Sequence, residues 1–224
     1  MPEATDALRR QLIDTARRMG ETGLNRGTAG NLSVRCRTGG NATDGYLITP
    51  TGMAYDTLTP ADLVFMPLDD GFPGHPGNLR QPSSEWRFHR DLYIARPEAG
   101  AILHAHAPFA TSVACLRRDI PPFHYMIARF GGDNVRCAAY ATFGTHALSD
   151  AAIEAMRARR ACLLGNHGML VFGDDLSQAL ALGIELETLC EQYWRACQLG
   201  TPVLLDAAEM ATVLDKFGAY GQQT

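Results

Sequence analysis

Residues 101–118, AILHAHAPFATSVACLRR, read as a short apolar strand that passes through Pro108 into a helix. Residues two apart in a strand project from the same face, so this strand presents His104 and His106 side by side. Upstream, residues 83–97 (SSEWRFHRDLYIARP) read as a helix headed by Ser83 and Ser84 and ended before Pro97. Before it, DGYLITPTGM (44–53) and ADLVFMPL (61–68) read as strands, and residues 69–82 as a polar Gly/Pro loop. GLNRGTAGNLSVR (23–35) is a glycine-rich loop running into a short strand. Residues 5–22 place Leu8, Leu12, Ile13, Ala16 and Met19 at helical spacing. Downstream come strand VRCAAYA (135–141), helix SDAAIEAMRAR (149–159), strands ACLLG (161–165) and MLVFG (169–173), a long helix (176–199) and a shorter one from near Asp206. Helices and strands interleave without regular βαβ alternation. The expected architecture is therefore a single-domain α/β sandwich over residues 1–224, with a mostly antiparallel central sheet flanked by helices.

The histidine pair gains meaning from two distant segments, Glu85 in PSSEWRFH and His167 in LLGNHG. A third imidazole arriving at a strand end would complete a three-histidine set with one position open. That is the ligand pattern of a catalytic zinc site, whereas structural zinc usually closes its shell with thiolates. Glu85 is suited to complete the shell at rest or to act as acid and base. His89 lies four residues after Glu85, on the same helical face, where it can orient the carboxylate. The spacing predicts a divalent-metal enzyme.

Composition narrows the chemistry. The chain has 224 residues, 46% apolar and 20% charged, with a net charge of −4. Those values describe an ordinary globular protein and give no electrostatic case for nucleic acid. No apolar stretch is long enough to span a membrane as a helix, and MPEATDALRR lacks the apolar region of a secretory signal. The six cysteines show no C-x-x-C spacing, and Cys115, Cys162 and Cys190 lie in apolar runs, as in a reduced cytoplasmic protein. Lys216 is the only lysine, and it sits in the C-terminal tail. Schiff-base chemistry needs a desolvated lysine in a pocket, so carbonyl chemistry here falls to the metal. No P-loop motif is present either.

Three turns suggest an anion site. Ser83 and Ser84 fall where a helix begins, and free N–H groups of a first turn bind phosphate; plain N-capping is the alternative. The turns at Gly27–Asn31 and Thr49–Gly52 offer further backbone N–H groups.

Taken together, GLNRGTAGNLSVR, ITPTGM, SSEWRFH, the H-x-H strand, IPPFHYMIARFGGDN, YATFGT, the NHG turn and the KFGAYG tail resemble, in order, the class II aldolase and adducin-head superfamily. The likeness is nearest to its L-fuculose-1-phosphate aldolase branch and covers essentially the whole chain. Asn166 departs from the pattern, which has histidine before the ligand histidine, and the loop at 69–79 looks longer. The resemblance implies Zn2+, with Mn2+ or Co2+ as substitutes, on His104, His106 and His167, and Glu85 alternating between ligand and acid/base. It implies phosphate among Gly30, Asn31, Thr51, Gly52, Ser83 and Ser84. It further implies a homotetramer with sites at subunit interfaces, Tyr125 entering a neighbouring subunit's site as catalytic base. Phe143 would line the aldehyde side, and Tyr220, in a tail over about 206–224, would close over the substrate.

The implied reaction is cleavage of a phosphorylated ketose, L-fuculose 1-phosphate or a 5-deoxy- or 5-methylthio-ribulose 1-phosphate, to dihydroxyacetone phosphate and a small aldehyde. Sugar-phosphate 4-epimerases of the superfamily resemble this chain except for an aspartate at the counterpart of Glu85. Dehydratases and decarboxylases share the histidine set. Adducin-like heads are non-catalytic binding modules and are expected to lack it.

Overall fold

In the computed structural model, which describes residues 3–38, 43–69 and 79–219, period-two burial along the strands divides the apolar side chains between two cores. The strands are β1 (Asn31–Thr38), β2 (Thr43–Ile48), β3 (Val64–Pro67), β4 (Ala101–Ala105), β5 (Arg136–Ala138), β6 (Ala161–Leu164) and β7 (Gly168–Gly173). They form one 7-stranded sheet in the order β3-β2-β1-β4-β7-β6-β5. Every pairing is antiparallel except β5 with β6, which is parallel.

On one face, Leu32, Val34, Leu103, Leu163 and Val171 pack against α1 (Asp6–Glu21), α3 (Pro108–Ala114) and α5 (Leu176–Leu199). On the other, Tyr46, Ile48, Ile102, Cys162, Leu170 and Phe172 lie with Phe88, Leu92 and Tyr93 of α2 (Trp86–Ala95) and Leu148 and Ala152 of α4 (His146–Ala155). The result is the expected single α/β domain with helices on both faces of a mostly antiparallel sheet. Among the described residues, no helix is long and apolar enough to cross a membrane.

Several boundaries differ from the sequence reading; α4, for one, runs His146–Ala155 rather than 149–159. Helix α2 begins at Trp86 rather than at the serines. Ser83 N–H donates to the carbonyl of Thr49, Thr51 N–H to that of Gln81, and Pro50 bridges Pro82, so the chain stays extended through Ser83. Helix α3 ends at Ala114 because the chain turns through Arg117, whose φ is 51°. Strand β5 is only Arg136–Ala138, an edge strand with one neighbour. The closing helix α6 (Ala207–Ala219) starts just after Asp206, whose carboxylate accepts from Glu209 N–H at 2.8 Å. Tyr220 and residues 70–78 lie outside the described residues.

Candidate metal centre

Strand register brings the site together. The central strand β4 carries His104 into the core shared with α2, directly opposite Asn31 of β1 and Leu170 of β7. His106 follows just past the strand end. The β6–β7 turn delivers His167, whose N–H donates to the Leu164 carbonyl at 3.0 Å. Asn166 holds φ 53° in that turn, a left-handed conformation that asparagine tolerates better than most residues. Its side chain accepts from Arg117 rather than touching the histidines. Gly168 is required by close approach, since a Cβ there would meet the Ala105 carbonyl oxygen at 2.5 Å and His106 Cδ2 at 3.0 Å. Glu85 comes from the other direction, at the residue preceding α2.

One ligand atom from each of Glu85, His104, His106 and His167 lies within 4.8 Å of the others. The three imidazoles meet edge to face, with centroids 4.8–4.9 Å apart. His104 Nδ1 donates to the Met169 carbonyl at 2.9 Å, which leaves Nε2 as a lone pair. That lone pair faces His106 Nε2 at 3.0 Å and Glu85 Oε2 at 3.2 Å. His167 Nε2 stands 3.1 Å from Glu85 Oε1 but outside hydrogen-bond geometry, so Oε1 is a buried acceptor with no hydrogen-bond partner. Converging lone pairs and an orphaned carboxylate oxygen fit a divalent cation, the one partner able to satisfy all of them at once.

Electrostatics agree with a cation site. Burial alone would raise the Glu85 carboxyl, yet in the metal-free protein the charged forms of His104 and His167 beside it hold it below the ordinary carboxylate range. Burial, reinforced by His104 and His167, pushes the His106 imidazole down to about 4 and keeps it neutral, as a metal ligand must be. Glu85 and His104 are buried, while His106 and His167 are partly exposed. The centre is therefore open on one side only.

The phosphate candidates lie on three segments tied together by main-chain bonds. Antiparallel pairing of residues 49–51 with 81–83 sets Ser83 opposite Thr49 and Thr51 opposite Gln81. Thr49 binds main-chain groups of Leu32, next to Gly30 and Asn31. Ser83 is buried and Ser84 exposed. A Cβ at Gly144 would meet the Ser84 carbonyl oxygen at 3.0 Å, so the backbone next to exposed Phe143 lies against Ser84. The Asn31 side chain is engaged by Glu85, donating to Oε2 at 3.0 Å. His89 does not reach Glu85 itself; its ring meets Asn31.

Tyr125 is not brought to the four ligands within one subunit. It lies in a 3₁₀ turn, half-exposed, and stacks on His124 and on Phe217 of α6. A cavity of about 1230 Å3 opens there, lined by Phe123, Met126, Leu205, Val213 and Phe217 and by none of the metal-site residues. Sequence reasoning missed Glu187 on α5. Its carboxylate accepts the N–H groups of Phe109 and Ala110 at 2.8 Å each and so fixes the start of α3, just after His106. No local motif announces that contact, because its partners lie 78 and 77 residues away.

Comparison with known proteins agrees with this geometry. The family model for the class II aldolase and adducin N-terminal domain matches residues 10–194. A 5-methylthioribulose-1-phosphate/5-deoxyribulose-1-phosphate aldolase of Rhodospirillum rubrum is 52% identical, covering 99% of this chain and 96% of its own. An L-fuculose phosphate aldolase of Escherichia coli K12 is 46% identical, covering 96% and 95%. A solved L-fuculose 1-phosphate aldolase superposes with a TM-score of 0.86 at 38% identity, covering 96% and 97%. On the fold, the four-residue centre and these relatives, the chain belongs to the class II aldolase and adducin N-terminal domain family.

Proposed function

We propose that this metal-dependent aldolase cleaves a ketose 1-phosphate with a short apolar end, 5-methylthio- or 5-deoxyribulose 1-phosphate, to dihydroxyacetone phosphate and an aldehyde. L-Fuculose 1-phosphate is the second substrate, favoured by the 46% identical relative. The observation that carries the reading is the one-sided opening of a buried carboxylate and three imidazoles with converging lone pairs. Zn2+ is the metal assigned, because a three-histidine set with an open position suits it, with Mn2+ or Co2+ as substitutes. The six unpaired cysteines support a reducing, cytoplasmic setting.

When bound, the ion supplies Lewis-acid polarisation of the substrate carbonyl and stabilises the charge that develops as the bond breaks. Gly30, Asn31, Thr51, Gly52, Ser83 and Ser84 hold the phosphate; Asn31 has a second N–H to offer beyond the one given to Glu85. Tyr125 of a neighbouring subunit takes the proton from the C4 hydroxyl. Glu85 takes up the proton that the C3 hydroxyl gives up, the C3–C4 bond breaks to an aldehyde and an enediolate, and Glu85 returns that proton to C3. Phe143 lines the aldehyde side. The tail over about 206–224, with Tyr220, closes over the substrate.

The direct test is release of dihydroxyacetone phosphate from 5-methylthioribulose 1-phosphate and L-fuculose 1-phosphate, with and without a chelator. Chelator-sensitive release is expected from both. An apolar pocket rejects one missing methylene or one added hydroxyl by only about 1–3 kcal/mol, so the two efficiencies should lie within roughly 200-fold of each other. Metal-loaded protein that releases product from neither would point to the epimerases, dehydratases or decarboxylases instead.

Because Tyr125 lies away from the ligands of its own subunit, activity is tied to a homotetramer with shared sites. Mixing Glu85→Gln and Tyr125→Phe chains, each nearly inactive alone, should restore part of the activity through sites that draw both intact residues. Absence of rescue in verified mixed oligomers would place the base elsewhere.

A further inference from the structure

Beneath Glu85 the sheet face turned toward α2 carries, besides the ligand His104, two buried polar side chains of β1, Asn31 and Ser33. Buried polar groups are costly unless they are paired, and these two are joined to buried His89 and Tyr93 of α2. Asn31 Nδ2 donates to Glu85 Oε2 at 3.0 Å. Asn31 Oδ1 lies 2.6 Å from His89 Nε2, His89 Nδ1 lies 2.7 Å from Ser33 Oγ, and Ser33 Oγ lies 2.8 Å from the Tyr93 hydroxyl.

Chemistry assigns one direction to this chain. A carboxylate only accepts, so the Asn31 amide must present its nitrogen to Glu85 and its oxygen to His89. That oxygen only accepts, so His89 must carry its proton on Nε2. Nδ1 is then a lone pair, the Ser33 hydroxyl donates to it, and the Tyr93 hydroxyl donates to Ser33. Burial pushes the His89 imidazole down to about 3, consistent with a neutral ring at physiological pH. The opposite tautomer would face a lone pair with the Asn31 oxygen and flip the amide, turning that oxygen onto the carboxylate.

We propose that His89, locked as its Nε2–H tautomer between Asn31 and Ser33, is a positioning residue that fixes the Glu85 carboxylate through the Asn31 amide. The proposal rests on the reading of Glu85 as part of a metal centre. It explains why a helix buries a histidine four residues after Glu85 without bringing the two into contact. It also separates His89 from the ligands: its ring nitrogens are both committed away from the centre.

The test pairs nitrogen-15 NMR of the imidazoles in the chelated full-length protein with Zn2+ affinity of purified variants. His89 is expected to show an unprotonated Nδ1 and a protonated Nε2. His89→Leu, which removes the donor, should weaken Zn2+ binding by roughly 10- to 100-fold, the range for groups that orient metal ligands. His89→Gln restores an N–H near the position of Nε2 and should recover most of the loss. Should His89→Leu fail to fold, Ser33→Ala breaks the chain at the smallest change in volume and should raise the fraction of Nδ1–H tautomer. An Nδ1–H ring in the unaltered protein, or a folded His89→Leu with unaltered Zn2+ affinity, overturns the positioning role alone. Failure of the unaltered protein to bind Zn2+, Mn2+ or Co2+ would remove the metal reading, and this proposal with it.

Discussion

Glu85→Gln is expected to leave fold and metal binding in place while lowering kcat by roughly 10²- to 10⁴-fold, the usual contribution of a positioned acid or base. The substitution is nearly isosteric. Its amide oxygen can still accept the Asn31 N–H that now reaches Oε2 at 3.0 Å. Its amide nitrogen would then face His167, where Oε1 now stands 3.1 Å from Nε2, without claiming that ring's lone pair. Three imidazoles remain for the ion. What is lost is a group that can carry a proton to C3, together with the one negative charge in the ligand set. The measurements are metal content, thermal midpoint and single-turnover release of dihydroxyacetone phosphate. Metal retained at normal stoichiometry with turnover unaltered would end the acid/base assignment. Loss of metal and turnover together would make Glu85 principally a ligand.

The same residue shows what the sequence could and could not disclose. The H-x-H pair is legible because a strand's period of two is a local property, and β4 keeps it through Ala105. The NHG turn is legible because it ends an apolar strand, ACLL, that is buried throughout. Helix starts were less legible. Ser83 and Ser84 look like helix caps, but pairing of residues 81–83 with 49–51 holds them extended. Propensity lost there to a tertiary contact that no window of sequence contains. His89 was readable as a neighbour of Glu85 on one helical face. The path between them runs through Asn31, a residue 58 positions from His89, and only strand register reveals it. Glu187 was invisible for the same reason. Tyr125 stands apart, since the resemblance implied its role and a single subunit leaves it stacked on Phe217.

Removing a histidine ligand should divide according to depth. His104→Ala and His106→Ala are both expected to lower Zn2+ affinity by more than the roughly 100-fold upper range for groups that merely orient ligands, and to abolish turnover. Their effects on the metal-free fold should differ. His104 is fully buried in β4, packs against Phe88 with ring centroids 5.5 Å apart, and donates Nδ1–H to the Met169 carbonyl. Truncation there opens a cavity lined partly by the Glu85 carboxylate. It removes one of the two imidazoles that hold that carboxylate ionised and takes away a partner of the Met169 carbonyl. A loss of about 2–5 kcal/mol is expected from the cavity and the disturbed polar contacts together. His106 lies past the strand end and is partly exposed, and its Nε2 points only at the other ligands. His106→Ala should therefore cost the metal-free protein less than about 1 kcal/mol, because a partly exposed site can refill with water. Chemical denaturation of both variants in the presence of a chelator measures the difference directly. Equal destabilisation would mean that His104 serves the site without supporting the sheet. A large loss at His106 would mean that the strand end depends on that ring, and that the centre is part of the fold's own framework.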